Sequence, residues 1–255
     1  MSKQVSQPNA RVLIGVPSGR GEIKCDTVLG MYSLMAPVNT PSLDYASITI
    51  ASNAMVHRAR NKMIEQLLAE PEITHMLFLD DDMQPSPDAL EKLLQADKDI
   101  IGGLCFTRRL PPEPTIYQEI MEGDKPLYRN MYNYPKDTVV KVDATGGAFL
   151  LVKRAVFEKL KPPYFFFEES AAGYGEDIAF CRKAIQEGFE VHVHTGAKVG
   201  HIGEFTYDED AFIGFMHVAN KDAAFGKKVG LTDEVEVAND TADDINKLLE
   251  EINQA

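Results

Sequence analysis

The stretch Met76-Leu77-Phe78-Leu79-Asp80-Asp81-Asp82-Met83 joins four apolar residues directly to three consecutive carboxylates. The apolar run predicts a buried strand of a parallel sheet. Open α/β sheets bind their ligands beyond the carboxyl ends of such strands. Because adjacent acids repel one another unless a cation lies among them, the stretch predicts a metal at a substrate crevice. The alternative is a solvated acidic turn, which Pro85 and Pro87 favour.

The residues around this stretch alternate between short apolar runs and runs with helical spacing. Strands are predicted over 11–16, 47–52 and 99–104, and helices over 26–35, 57–69 and from Ser86-Pro87-Asp88 onward. Ser86 is expected to cap the last of these helices, with Pro87 in its first position. This order predicts a mostly parallel sheet with helices on both faces.

The second half of the chain is less regular. Residues 110–135 are rich in Pro, Tyr and charge, which predicts an excursion or hairpin over the site. The pattern then predicts an edge or antiparallel strand over 138–143, a glycine turn entering a buried strand that ends at 152, helices over 153–160 and 176–187, and a strand over 191–193. Gly188 is expected at the C′ position of the second of these helices.

The formal charge of −13 is unevenly distributed. The last 25 residues contain eight acids and one base, so this tail carries −7 and the first 230 residues carry −6. A negative surface disfavours nonspecific binding to nucleic acid or to anionic membranes. Three widely spaced cysteines indicate neither a disulfide framework nor a zinc site.

The polar first ten residues contain no apolar signal region, and no stretch approaches the roughly 20 apolar residues of a membrane span. A soluble, cytoplasmic protein is therefore expected. Three regions are predicted: a polar segment over 1–10, a main domain over 11–204, and a helical extension with an acidic tail over 205–255. In the tail, Ile245, Leu248, Leu249 and Ile252 have helical spacing, which allows a contact in a homo-oligomer.

Four motifs follow one another in an order that resembles a known family. They are the strand that ends in Asp80-Asp81-Asp82, the run from Gly146-Gly147 to residue 157, Gly175-Glu176-Asp177, and Val199-Gly200-His201. Together they resemble the GT-A-fold nucleotide-sugar glycosyltransferases of the broad family-2-like group, over about residues 11–203. The resemblance implies a Rossmann-like α/β fold with a mixed, mostly parallel sheet flanked by helices, and leaves the acidic C-terminus as an appendage.

The resemblance assigns metal binding to Asp80, Asp82 and His201. If the strand continues through the acids, Asp80 and Asp82 project to the same side and can share a divalent ion, whereas Asp81 faces the other way. Oxygen ligands favour Mg²⁺, Mn²⁺ or Ca²⁺, and an imidazole shifts the preference towards Mn²⁺. The expected cofactor is therefore Mn²⁺ or Mg²⁺. The commoner role of any histidine, a surface or core position, is the alternative for His201.

The other assignments concern catalysis and substrate binding. The resemblance implies that Asp177 is the general base of an inverting transfer, with Glu176 as second choice. Acids in the first turn of a helix also complement its dipole, which is the structural alternative. Donor binding is assigned to Pro17, Ser18, Arg58, Arg60, Asp81, Gly146 and Gly147, and a phosphate or acceptor contact to Arg108 and Arg109.

The implied activity is metal-dependent transfer of a sugar from a nucleotide-sugar donor, expected to be UDP-linked, to an acceptor hydroxyl. Two alternatives stay open: a sugar-phosphate nucleotidyltransferase, for which the first loop offers only Arg20 as a cation, and a non-catalytic protein that binds a sugar-nucleotide or glycan. The acceptor is open between a glycan, a protein, a lipid-linked sugar, a small molecule and a modified DNA base.

Overall fold

The computed structural model describes residues 10–123, 125–167, 174–203 and 206–221. In chain order its elements are β1 (Ala10–Ser18), α1 (Cys25–Met35), β2 (Leu43–Ser52), α2 (Val56–Ala69), β3 (His75–Leu79), β4 (Met83–Pro85), α3 (Ala89–Ala96), β5 (Ile100–Leu104), β6 (Ile116–Glu122), β7 (Lys125–Asn130), β8 (Val139–Val142), β9 (Ala144–Thr145), β10 (Phe149–Lys153), α4 (Arg154–Lys159), α5 (Glu176–Gln186), β11 (Val191–Ile202), β12 (Thr206–Tyr207) and α6 (Glu209–Lys221).

The main sheet has the order β12-β11-β5-β10-β3-β1-β2, and β4 and β8 also pair with β11. β1 is parallel to β2 and β3, β11 is parallel to β5, and β10 is antiparallel to both β3 and β5. The strands β2, β1, β3, β5 and β11 therefore all run in one direction, with β10 reversed among them. The predicted mixed, mostly parallel sheet flanked by helices is confirmed.

Helices cover both faces of this sheet, which explains the unbroken apolar run before the acids. Met76 and Phe78 of β3 pack in the core layer that contains α2, α4 and α5. Leu77 and Leu79 pack in the opposite layer, which contains α1 and α3. Since alternate side chains of a strand point to opposite faces, a strand covered on both faces must be apolar at every position.

One local prediction is wrong, and one strand is predicted too short. Helix α3 begins at Ala89 with Asp88 at its N-cap, and no side chain caps it. The Ser86 hydroxyl instead donates to Asp88 Oδ1 at 2.9 Å, because the chain between Pro85 and Asp88 turns before the helix starts. The last strand is also longer than the predicted 191–193, since β11 continues through twelve residues to Ile202. That extension carries His201 to the edge of the sheet where the other parallel strands end.

The irregular segment 110–135 forms the predicted hairpin. β6 and β7 are antiparallel neighbours, and β6 also pairs with β9 in a separate three-stranded sheet. Because β9 directly precedes Gly146-Gly147, the hairpin lies beside that turn. Gly188, at φ +90°, follows α5 in the left-handed conformation that its predicted C′ position favours.

The part of the chain that the structure describes contains no helix that is both long and apolar enough to span a membrane. The acidic tail and the four residues proposed for an oligomer contact, Ile245, Leu248, Leu249 and Ile252, lie outside the described ranges. The division into three regions stays a prediction.

Candidate functional site

A cleft of about 540 Å³ opens at the carboxyl ends of β1, β3, β5 and β11. Because β10 runs in the opposite direction, the turn before its first residue lies at this same edge. Most residues assigned from the sequence line the cleft: Pro17, Arg60, Asp80, Asp81, Asp82, Arg108, Gly146, Gly147, Glu176, Asp177 and His201. The position agrees with the rule that ligands of open α/β sheets bind beyond the carboxyl ends of the strands.

The three consecutive acids form a turn between β3 and β4, so the condition under which Asp80 and Asp82 would project to the same side, a strand that continues through them, is not met. Their carboxylates consequently meet different cations. Asp80 Oδ1 accepts a hydrogen bond from Arg60 Nη2 at 2.7 Å. Asp82 Oδ2 accepts one from Arg108 Nη1 at 2.6 Å. Asp80 and Asp82 therefore pair with different arginines.

His201 lies beside Asp82, with Nε2 3.3 Å from Asp82 Oδ2. The other ring nitrogen, Nδ1, is 2.9 Å from the carbonyl oxygen of Phe106. Since a carbonyl oxygen only accepts, Nδ1 carries a proton, and in the neutral ring Nε2 is a bare acceptor facing a carboxylate. Burial lowers the pKa of His201, but hydrogen bonding and charge from Asp82, with the Phe106 carbonyl, outweigh burial and raise it overall.

This pair of groups fits a divalent cation. Histidines that bind metals commonly donate their second N–H to a backbone carbonyl, which fixes the tautomer, as the Phe106 carbonyl does for His201. Across the described ranges, however, no cluster of three or more His, Cys, Asp or Glu side chains could hold a metal. The predicted trio is therefore only partly brought together: Asp82 and His201 adjoin, whereas Asp80 is bound to Arg60. Further ligands at this pair would be substrate oxygens or water.

Arg60, in α2, is one of the most deeply buried side chains, with 2% of its surface exposed. Its Nη2 donates to Asp80, and its Nη1 donates to Glu176 Oε1. The guanidinium carbon also lies 5.5 Å from the ring centre of Phe165 and 5.9 Å from that of Phe78. Carboxylates thus engage both terminal nitrogens. The assignment of Arg60 as a donor contact stays a prediction.

Glu176 and Asp177 begin helix α5 but lie in different environments. Glu176 forms the ion pair with Arg60, whereas Asp177 Oδ1 accepts a hydrogen bond from the Ile178 amide at 2.8 Å. Burial raises the pKa of both carboxyl groups, and the nearby Arg60 charge only partly opposes it. No ion pair of Asp177 occurs in the described part of the chain. The charge of Asp177 is therefore stabilised by a backbone amide and by the nearby charge of Arg60 rather than by a direct ion pair.

Two glycines let the backbone come close to these charged groups. A Cβ on Gly147 would lie 2.8 Å from Cζ and Nη1 of Arg60. A Cβ on Gly175 would lie 2.6 Å from Asp177 Oδ1. Both distances are shorter than real Cβ contacts, so a side chain at either position would displace a charged group of the cleft.

Three of the assigned residues do not line the cleft. Ser18 is buried, and its hydroxyl donates to the Glu22 carbonyl at 2.8 Å. Arg58 lies on the exposed face of α2. Arg109 is 62% exposed and forms an ion pair with Glu113. Their assignments to the donor or acceptor stay predictions.

Tyr117 also lines the cleft, although nothing in the sequence singles it out. It lies on β6, and both burial and the negative charge of Asp177 raise the pKa of its phenol. Proline and tyrosine content indicates a hairpin over the site. Which side of that hairpin faces the cleft depends on the register between β6 and β9, and that pairing joins residues far apart in the chain.

Comparisons with known proteins bear on the fold. No protein-family model matches the chain, and no curated protein matches it in sequence. Among solved structures, it is similar to A197 from STIV, at 20% identity and a TM-score of 0.50 over 76% of this chain and 86% of that one. It is also similar to GalNAc-T7 crystallised with UDP, GalNAc and Mn²⁺, at 12% identity and a TM-score of 0.53.

The GalNAc-T7 match covers 97% of this chain but only 55% of that one, so this chain spans little more than half of that protein. At these identities the likeness concerns the arrangement of the elements alone. It agrees with the mixed, mostly parallel sheet and the helices on its two faces. The predicted GT-A, Rossmann-like fold is confirmed, and membership of the family-2-like group stays a prediction.

Proposed function

We propose that the protein is a glycosyltransferase that moves a sugar from a nucleotide-diphosphate sugar to an acceptor hydroxyl. One observation carries this proposal. A single cleft at the carboxyl edge of a GT-A sheet holds both the Asp82–His201 pair and the Glu176–Asp177 pair. The first pair fits a divalent cation beside a diphosphate, and the second offers a carboxylate for the acceptor. GalNAc-T7, which shares the fold, was crystallised with UDP, GalNAc and Mn²⁺, and this supports UDP and Mn²⁺ as the first choices.

Asp82 and His201 are the residues that would hold the cation. When bound, a divalent cation would neutralise the negative charge that grows on a diphosphate leaving group. Arg108 now supplies the positive charge at Asp82 Oδ2, 2.6 Å away. Its side chain is about half exposed, so it can leave Asp82 without unpacking the core and is available to a substrate phosphate or to the acceptor.

Asp177 is proposed as the general base. The acceptor oxygen forms a bond to the anomeric carbon while the bond from that carbon to the diphosphate oxygen breaks. The leaving nucleotide takes the electron pair, and the acceptor proton moves to Asp177. A carboxylate with a raised pKa is a better proton acceptor near neutral pH, and burial raises the pKa of Asp177. Glu176 is the weaker choice because Arg60 already neutralises it. A single displacement of this kind inverts the anomeric configuration.

The donor site is tested by calorimetric titration of UDP and of GDP, each with and without Mn²⁺. The wild type is expected to bind one nucleotide with micromolar affinity only when Mn²⁺ is present, and Asp82→Ala is expected to lose this binding. Glu190→Gln is the matched control, because Glu190 is an exposed acid that pairs with Lys141 outside the cleft. Absence of metal-dependent binding by either nucleotide would overturn the proposal.

Turnover separates an enzyme from a binding protein of the same fold. Release of the free nucleotide from a panel of UDP- and GDP-sugars, with water and simple glycosides as acceptors, is expected for the wild type and is expected to be about 10²- to 10⁴-fold slower for Asp177→Asn. Nucleotide binding without turnover of any donor would favour the non-catalytic alternative.

A further inference from the structure

Arg60 joins two parts of the cleft that come from distant parts of the chain. Asp80 lies 20 positions after Arg60, in the turn that also contains Asp82, and Glu176 lies 116 positions after it, next to Asp177. The two carboxylates bind separate nitrogens of the same guanidinium. The side chain of Arg60 thus connects the turn that contains Asp82, here called the cation side of the cleft, to the start of α5 with Asp177, here called the base side.

The surroundings of Arg60 keep the guanidinium in place. The rings of Phe165 and Phe78 lie within 5.9 Å of its central carbon, and a Cβ on Gly147 would lie 2.8 Å from it. A buried cation is stable only when it is paired, and removal of one partner leaves an uncompensated charge. The guanidinium therefore has little freedom to release either carboxylate independently.

A lysine could not replace this arrangement. Guanidinium is planar and presents several N–H donors at fixed angles, so it can hold two carboxylates in a set relative orientation. An ammonium group is a compact point charge on a flexible stem and does not impose that orientation. The property that matters at position 60 is therefore the shape of the cation as well as its charge.

We infer that Arg60 is a positioning residue that couples the acidic turn to the start of α5, so that the nucleotide half and the acceptor half of the cleft are set together. The inference rests on the proposed function. It predicts that a change at Glu176 alters nucleotide affinity although Glu176 belongs to the base side. Because Asp80 and Glu176 each contact Arg60, the effect is transmitted through the guanidinium.

The test is a cycle of variants measured by calorimetry with UDP and Mn²⁺. Glu176→Gln is expected to weaken UDP–Mn²⁺ binding about fivefold in the wild type, and Arg60→Lys about tenfold, within the range of couplings seen between residues of one ion-pair network. In the Arg60→Lys background, Glu176→Gln is expected to have no further effect on affinity. Equal effects of Glu176→Gln in both backgrounds would overturn the inference.

Arg154→Lys is the matched control for a purely structural loss. Arg154 is also largely buried, but its guanidinium binds the carbonyls of Leu67, Leu68 and Glu70 at the far end of α2. The control is expected to lower the melting temperature and to leave UDP–Mn²⁺ affinity unchanged. If both Arg→Lys variants lower affinity in proportion to their loss of stability, Arg60 only supports the fold and the inference is wrong.

A second cycle avoids any change at Arg60. Asp80→Asn and Glu176→Gln are combined, and their effects on UDP–Mn²⁺ affinity are expected to be non-additive by about threefold or more. Additive effects would contradict coupling through Arg60. A wild-type protein that binds no nucleotide would overturn the proposed function and this inference together, whereas normal binding without coupling would overturn the inference alone.

Discussion

The acids of the cleft differ in their partners, and the partner determines what each carboxylate can do. Asp80 and Glu176 are neutralised by Arg60, while Asp82 lies between Arg108 and His201. Asp177 accepts hydrogen bonds from backbone amides instead. Of the five acids that line the cleft, two are therefore held in place by Arg60, one fits a cation and one can accept a proton, while Asp81 forms no ion pair within the described residues.

Asp177→Asn is expected to lower kcat by about 10²- to 10⁴-fold, the usual contribution of a general base. It is also expected to stabilise the protein at pH 7 by about 1 kcal/mol, as substitutions that relieve a strained functional group commonly do. Burial raises the pKa of the folded Asp177 carboxyl above its unfolded value. Ionisation of Asp177 therefore lowers the free energy of unfolding as the pH rises through its unfolded and folded pKa values. Asparagine cannot ionise, so the variant does not lose this stability.

Denaturant unfolding at pH 7 and at about pH 3 checks the stability part, because the gain should disappear once Asp177 is protonated in both states. In the wild type, activity should fall as the pH is lowered through the raised pKa. Asp26→Asn is the control, since Asp26 is an exposed acid in the first turn of α1. A loss of stability at pH 7 in Asp177→Asn would show that its carboxylate contributes favourably to the fold.

At the level of elements, β5 shows why short strands of this sheet contain glycine. A Cβ on Gly103 would lie 2.8 Å from Phe149 Cδ1, 2.9 Å from Val199 Cγ2 and 3.0 Å from the Ala197 carbonyl oxygen. These atoms belong to the reversed strand β10 and to β11, on either side of β5. Gly103 therefore allows the two neighbouring strands to pack closely where the cleft begins.

Gly103→Ala is expected to destabilise the protein by about 3 kcal/mol, the upper range for overpacking a rigid core. Gly15→Ala is the matched control in β1, because its Cβ would meet the flexible Met63 side chain at 2.8 Å, and a thioether chain can move aside. The control is expected to cost less than about 1 kcal/mol. Denaturant unfolding of both variants measures the difference, and equal losses would contradict the assigned strand packing.

The connection between β3 and β4 decides the geometry of the acids. A strand that continued through them would place Asp80 and Asp82 on one side, but β3 ends at Leu79. The amide of Asp80 donates to the Ala148 carbonyl, and the Asp81 carbonyl accepts from Lys24 and Thr27. These hydrogen bonds to other segments fix the turn, so the periodicity of the stretch itself does not reveal it.

For the molecule as a whole, one sheet carries two core layers. Cys181 lies in the layer with α2, α4 and α5, and Cys105 lies in the opposite layer. Both layers include alternate residues of β1, β3, β5 and β10, so neither layer can lose its packing without disrupting the other. The two layers are therefore expected to unfold in one cooperative transition.

Thiol labelling measures this cooperativity. Cys25 is exposed and should react at once with an aromatic disulfide reagent, whereas Cys105 and Cys181 are buried. Burial raises the pKa of both buried thiols, that of Cys181 to about 12, so they should stay unreactive in the folded protein. Both should become reactive at the same denaturant concentration. Separate transitions, identified by mass spectrometry of the labelled peptides, would contradict a single cooperative unit.

Local sequence was sufficient to predict the layers of the fold and the acidic residues that line the cleft. The apolar run 76–79 and the helical spacing of Met63, Ile64 and Leu67 report burial at their own positions, because strand and helix periodicities are local. The acids after β3 are identified in the same way, since ligands bind beyond the ends of parallel strands, whereas the role assigned to Asp177 came from the family resemblance.

The tertiary structure alone decided which cation each acid meets. Arg60 and Glu176 are separated by 116 positions, and Asp82 and His201 by 119, so no local period records their contacts. The turn at Asp80–Asp82, the length of β11 and the pairing of the β6–β7 hairpin bring these groups together. Whether two charged groups form an ion pair depends on the distance between them, and that distance depends on the order of the strands in the sheet.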